Sequence, residues 1–324
     1  MGSATNFPFG VSSFGIPAMG SVGGIPFGGN YWFVNEGSGA DGNGGNSPSQ
    51  SVKSISRALA LATPNNNDVI FLSGTVHTTA SINWNVNQTH LVGVTGPLKN
   101  GKRARISLLG GATGFNNLVN VTGNGCYFAN FGTFYGFSNA SAALVAWEDD
   151  GGRNCYDNVE FLGFGDGTTT TGSSNLTGSR AFRMNTNVGE TTFRNCVFGV
   201  NTETRNATNY TVEIAGGAPR LTFENCDFES YLGGSGGASS HILIGAGGID
   251  REMILNGCHF LNSVGAGATV MAQVFNVNGA PGGTVLLDSC TAYGATAWQT
   301  TPGTSIYMNM GAVSAPGGGI SLVV

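Results

Sequence analysis

Apolar and polar residues alternate along most of this chain with a period of two, the rhythm of a β-strand with two different faces. The rhythm slips at regular places. In LTFENCDFES (221–230), Leu221 and Phe223 lie two apart, as do Cys226 and Phe228, yet Phe223 and Cys226 lie three apart. One flat strand would send those two side chains to opposite faces. The same slip aligns GNGCYF (123–128), YDNVEF (156–161), FRNCVF (193–198), FENCDF (223–228), LNGCHF (255–260) and LDSCTA (287–292). The pivots are then 126, 159, 196, 226, 258 and 290, at intervals of 33, 37, 30, 32 and 32 residues. The residue before each pivot is Gly125, Asn158, Asn195, Asn225, Gly257 or Ser289. Gly and Asn enter the left-handed backbone region most cheaply, and one such residue bends a strand and resets its inward face. Each slip reads as a corner.

A second extended stretch follows in YTVEIAGG (210–217), HILIGAGG (241–248), VMAQVFNVNG (270–279) and SIYMNMGAV (305–313). The unit is strand, corner, short strand, loop, strand and Gly-rich turn. A repeat of this length made of short strands cannot bury its apolar face alone and must stack on its copies. The pattern predicts an all-β chain, a right-handed parallel β-helix, with handedness taken from the rule for parallel crossovers. Propeller blades are disfavoured because no hairpin signal recurs. Helical rhythm is convincing only over Ser49–Ala62, with Val52, Ile55, Leu59 and Ala62 on one face. An exposed β-helix end invites strand addition, so this helix is read as a cap.

Composition changes the picture little. Only 10% of residues are charged, the net charge is −5, and Gly is 54 of 324. The acidic balance argues against nucleic acid as a partner. No apolar run of membrane length and no signal-peptide pattern occur, so no membrane association is expected. Five of six cysteines fall in the pivot slot, which Val159 fills once; only Cys155 is outside it. That predicts small buried thiols rather than disulfides, in a chain made in a reducing cytoplasm. No metal-ligand spacing appears, and His259 faces away from Cys258.

The best case for catalysis is WEDDGGRNCYDNVEF (147–161), with Glu148, Asp149, Asp150, Asp157, Glu160 and Arg153, and with Arg180, Arg183 and Arg194 one coil on. It is read as a solvated loop after the AALVAW strand. Asp157 aligns with Arg194, Glu224, Asn256 and Asp288, a mixed ladder suited to surface ion pairs rather than paired catalytic carboxylates. Trp147, Trp298 and Tyr231 fit sugar platforms or ordinary loop anchors equally well. The expectation is therefore a non-enzyme with no catalytic residue, no metal and no cofactor.

The order YWFVNEGSGADGNGGNSPSQSVKSISRAL, NNNDVIFLSGTVH and HLVGVTGPLKNGKRARISLLGG, within residues 30–110, resembles the opening of pectate-lyase-like β-helix proteins. Within them it is most similar to versions from tailed-bacteriophage structural gene clusters. The resemblance implies a virion protein assembled in the host cytoplasm: a homotrimeric capsid decoration (cement) protein bound to the major capsid protein. Its alternative is a small tail spike or a polysaccharide-binding or -degrading β-helix enzyme. Residues 1–29 carry no charge yet hold Phe7, Phe9, Phe14, Ile16, Ile25 and Phe27 among Pro and Gly. Spaced rings on an uncharged chain read as an extended docking arm, each side chain seated in a partner's pocket. The organisation predicted is an arm (1–29), an entry strand, Gly-rich loop and capping helix (30–67), and a β-helix (68–324).

Overall fold

The computed structural model describes residues 29–109, 116–134, 145–163, 176–185, 188–234, 238–263, 269–278, 282–300 and 306–309, and the backbone of four two-residue strands before them. Phe7, Phe9, Phe14 and Phe27 of the predicted arm lie outside the described residues. For Ile16 and Ile25 only the backbone is described: Ser12–Ser13 pairs antiparallel with Ile16–Pro17, and Ser21–Val22 with Ile25–Pro26.

The body is a parallel β-helix. Successive strands fall in turn on three parallel sheets, of ten, eight and seven strands among the described residues, here called sheets one, two and three. Sheet one begins with Tyr31–Asn35 and Asp68–Ser73 and continues through Tyr127–Ala129, Cys155–Asp157, Thr191–Arg194, Ala218–Glu224 and Ile249–Asn256. The turn from sheet one to sheet two passes through one left-handed residue: Asn130 (φ 59°), Asn158 (53°), Asn195 (52°), Asn225 (52°), Gly257 (63°) or Ser289 (53°). The predicted corners are therefore present, with one correction. Cys126 is not in the pivot slot. Its coil turns at Asn130, so Phe131 takes the slot, and Cys126 sits before the sheet-one strand at the entry from sheet three. Gly125 misleads because it too is left-handed, at φ 66°. SIYMNMGAV is also reassigned: Ile306–Asn309 pairs with Thr284–Asp288 in sheet one, so it opens a new coil instead of closing one.

Inside, like stacks on like. Under sheet one, Phe128, Tyr156, Phe193 and Phe223 form a column with ring centroids 5.0, 5.0 and 4.5 Å apart. Under sheet two, Phe161, Phe198, Phe228 and Phe260 do the same at 5.0, 5.0 and 4.6 Å. Offset stacking of this kind adds to the burial of each ring. Cys196, Cys226, Cys258 and Cys290 are buried free thiols at the corner beside these columns.

The predicted helix is shorter than its rhythm. Pro48–Gln50 is a 3-10 turn and the α-helix runs over Ile55–Leu61. Val52 is drawn out between them because its N–H bonds to the Phe33 carbonyl at 2.9 Å. Ser54 caps the helix by accepting from the Arg57 N–H at 3.2 Å, and Asp41 accepts from the backbone N–H of Lys53 and of Ser54. Ile55, Ala58 and Leu59 are buried against the first coil.

Candidate functional site

The outer face of sheet one carries two columns of side chains. One reads Phe33, Phe71, Val92, Ala129, Asp157, Arg194, Glu224, Asn256 and Asp288 from the N-terminal end, with the last five in the register expected from sequence. The other places Tyr127, Cys155, Thr192 and Thr222 side by side. The face changes character along its length, aromatic and aliphatic first, then charged.

One corner is unlike its neighbours. Between Thr89–Gly93 of sheet one and Arg105–Leu108 of sheet two the chain makes a long excursion through residues 94–104 instead of a single left-handed step. This strap lies lengthwise across the later coils. Its root is fixed by Asn130, whose Nδ2 donates to the carbonyls of Gly93 and Thr95 at 2.9 and 3.0 Å. Its middle is fixed by Glu160, which accepts from the backbone N–H of Gly101 and from that of Lys102, the latter at 3.0 Å. At its far reach Lys99 Nζ lies 2.7 Å from Asp227 Oδ2 and donates to the Asn225 carbonyl at 3.1 Å. Lys102 is buried, which pushes its ammonium below the usual lysine range, while Glu160 beside it works in the opposite sense. Glu229, close to Asp227, is pushed up by burial and by that neighbouring charge.

The strap makes one wall of a groove of about 720 Å³ over sheet one. Phe71, Val92, Val94 and Pro97 line one end, and Lys99, Tyr127, Asp157, Asn158 and Asn195 the other. Both oxygens of Asp157 are held: Oδ2 accepts from the Tyr127 hydroxyl at 3.1 Å and Oδ1 from Asn195 Nδ2 at 3.4 Å. Burial and the Asp157 charge push the Tyr127 phenol well above its ordinary range, so it stays a proton donor to the carboxylate. Arg194, one rung on, is drawn the other way, onto Glu224 at 3.0 Å.

The acidic stretch 147–161 is therefore not one loop after a strand: 150–154 connects two strands, and the carboxylates of the stretch do not act together. Val145–Asp149 is a strand of sheet three. Glu148 faces outward to Asn117 at 2.7 Å and to Arg183 at 3.5 Å. Asp149 faces inward and is fully buried, accepting from Tyr156 at 2.8 Å and from Asn154 at 3.1 Å. Burial raises its pKa to about 6. Asp157 and Glu160 stand on either side of the Asn158 corner, one in the groove and one under the strap. Trp147 and Trp298 are core residues, not platforms. Arg180 and Arg183 pair with a carboxylate of sheet three, Glu213, at 2.9 and 3.3 Å, and Arg153 pairs with Glu190 at 2.8 Å. Sequence reasoning missed Tyr127 and the strap, and read Asn195 only as a corner residue. Among the described residues no group of three His, Cys, Asp or Glu is placed to hold a metal ion.

No protein-family model matches the chain, and no curated protein does either. Solved structures do. A pectin methylesterase from Aspergillus niger superposes with a TM-score of 0.52 at 16% identity, over 92% of this chain and 88% of that one. A rhamnogalacturonan lyase superposes with a TM-score of 0.53 at 10% identity, over 82% of this chain and 74% of that one. At such identities the likeness shows the fold, a pectate-lyase-like parallel β-helix, in agreement with the sequence reading. Both neighbours are enzymes. That overturns the expectation of a non-enzyme, which rested on the lack of a carboxylate ladder and on reading the acidic stretch as a solvated loop. Neither neighbour bears on a virion, a capsid or a homotrimer; both are compatible with the polysaccharide-acting alternative.

Proposed function

We propose that the chain is a polysaccharide-acting β-helix enzyme that lays a saccharide strand along the groove over sheet one, with Asp157 as its acid–base group. The observation that carries this reading is the Asp157 carboxylate, clamped by Tyr127 and Asn195 inside an open groove whose wall is built by a dedicated strap. A general acid or base needs a fixed carboxylate within reach of substrate and a partner to hold its orientation. Tyr127 supplies the second. The Asn158 and Asn195 side chains line the groove beside it, where sugar hydroxyls would meet them. The fold supports the reading because the two enzymes it matches are named for a pectin and a rhamnogalacturonan. No observation favours a capsid role over this one.

The test is a panel of neutral and acidic polysaccharides, followed by reducing ends, released ester acid and unsaturated uronate. Turnover of at least one is expected, with Asp157→Asn abolishing it while binding persists. Wild-type protein that neither binds nor alters any member of the panel overturns the proposal, and full activity of Asp157→Asn overturns the role of Asp157.

A further inference from the structure

The groove over sheet one is graded along its length. Its floor follows one outward column, Phe71, Val92, Ala129 and Asp157, on four successive strands of that sheet. With about 4.8 Å between rungs, Phe71 and Asp157 stand roughly 14 Å apart. At the Phe71 end the surface is apolar in depth. Val69 and Val92 form a small second core on the outside of the solenoid with Phe71 packed on it, and Phe33 stacks on Phe71 at 5.4 Å. The strap adds Val94 and Pro97 to the wall at this end. Val94 is 57% exposed, and its place is set by its backbone, whose N–H bonds to the Leu72 carbonyl at 2.8 Å.

The charged groups of the groove are unequal. Among the described residues that line it, only Lys99 and Asp157 carry a charge. The lysine is committed: its Nζ lies 2.7 Å from Asp227 Oδ2 and also donates to the Asn225 carbonyl. The Asp157 carboxylate is held by two neutral donors, Tyr127 and Asn195, which orient it and leave its charge in place. The next cation along the column, Arg194, is paired with Glu224 at 3.0 Å. A strand of uronates would bring its carboxylates against Asp157 with Lys99 and Arg194 already matched, and like charges brought together exclude a partner. An uncharged strand meets no such cost. At the apolar end the discrimination is of another kind. A sugar hydroxyl pressed on Phe71, Val92 and Val94 loses its hydrogen bonds to water without gaining one from these side chains, whereas a methyl group gains by leaving water.

On the saccharide-acting reading, which this selection presupposes, we propose that the groove takes an uncharged saccharide strand carrying a small alkyl substituent, an O-acetyl ester or the methyl of a 6-deoxy sugar. The substituent sits at the Phe71, Val92 and Val94 end. Its distance from Asp157 fixes its role. Two to three rungs, roughly 10–14 Å, separate Val92 and Phe71 from that carboxylate, so the bond that reacts is not the one that joins the substituent to the strand. The alkyl group is a recognition handle and stays on the product.

The test offers the full chain matched polysaccharides: an O-acetylated glucomannan and its alkali-deacetylated form, a rhamnan and a mannan of the same linkage, and polygalacturonate and its carboxyl-reduced galactan. Affinities are read by calorimetry and products by mass. At least one alkyl-bearing neutral polymer is expected to bind roughly tenfold tighter than its bare partner, and the reduced galactan tighter than polygalacturonate. A preference within the acetyl pair alone assigns an ester; within the rhamnan pair alone, a deoxy methyl. Val94→Asp alters an exposed side chain on a backbone held in place. It is expected to fold as wild type and to bring the tenfold ratio close to one. Fragments released by the protein are expected to keep their acetyl groups. Four results would each overturn the selection and leave the saccharide-acting reading standing: polygalacturonate as the tightest ligand, equal binding within both alkyl pairs, an unchanged ratio in Val94→Asp, or free acetate. Binding to none of these polymers also overturns the selection, and if the wider panel is neither bound nor altered, the saccharide-acting reading falls with it.

Discussion

Asn158 Nδ2 donates to Asn130 Oδ1, one rung away along the corner between sheets one and two, at 3.1 Å. The two residues do the same work twice over. Each holds the left-handed backbone that turns the chain, at φ 53° and 59°, and each ties its rung to the next through the backbone, Asn130 N–H to the Asp157 carbonyl and Asn158 N–H to the Arg194 carbonyl. Asn158→Ala keeps neither the conformational tolerance nor the amide. It is expected to lose about 2 kcal/mol in urea unfolding, about 1 from the left-handed backbone and about 1 from the hydrogen bond. Asn158→Gly loses only the second. Equal losses for both variants would remove the backbone from the account.

This corner was legible because its cause is local. One residue type must sit where the period slips, and Asn158, Asn195 and Asn225 announce themselves. The ladder from Asp157 to Asp288 followed directly from aligning the corners. Cys126 was misplaced because Gly125 satisfies the same local rule at a different turn, and only strand pairing separates the two cases. The strap was illegible for another reason. Glu160 is 59 residues from Gly101, and Lys99 is 126 from Asn225, so the bonds that hold it have no trace in nearby sequence. Asp149 looked solvated because it stands in a run of acids; its inward direction is set by the register of sheet three.

The thiols give a second prediction. Four stacked cysteines and Cys126 are buried, and Cys155 is partly exposed. Burial pushes the Cys155 thiol up to about 11, which leaves little thiolate at mild pH. Alkylation without reductant, counted by mass, is expected to give at most one slow label on the native chain, at Cys155, and six after denaturation. Three disulfides would contradict the ladder. Cys226→Leu, which overfills a slot between Cys196 and Cys258, is expected to cost about 1–3 kcal/mol.

The strap should behave as a clamped element. Its tryptic sites, Lys99, Lys102 and Arg103, are expected to resist cleavage in the wild type. Glu160→Ala releases the two backbone N–H groups of Gly101 and Lys102 and is expected to open these sites to trypsin without unfolding the helix. Lys99→Ala frees only the far end, through a partly exposed ion pair worth about 1 kcal/mol or less. Comparable cutting in both variants would mean that Glu160 is not the principal anchor.

The last prediction concerns pH, where two buried groups act in opposite directions. His90 is buried and accepts the Tyr127 backbone N–H on Nδ1 at 3.0 Å, so it is held neutral, and burial lowers its pKa to about 4 from 6.5. The folded state binds its proton less readily than the unfolded chain. Its contribution is present above pH 6.5 and is lost as pH falls towards about 4. Asp149 has the reverse sign. With its pKa raised to about 6 from 3.8 by burial, the folded state binds a proton more readily, and stability is lost as pH rises between those values. Each effect has an upper size of about 3 kcal/mol, at 1.36 kcal/mol per pKa unit. Between pH 4 and 6 they offset one another, so wild-type stability should be nearly flat there in urea midpoints. Asp149→Asn keeps an acceptor for the Tyr156 hydroxyl but removes the titration, and its stability should fall on acidification through that window. His90→Gln leaves the Asp149 slope alone, and its stability should fall as pH rises. Parallel pH profiles for wild type and both variants would show that neither group is linked to folding.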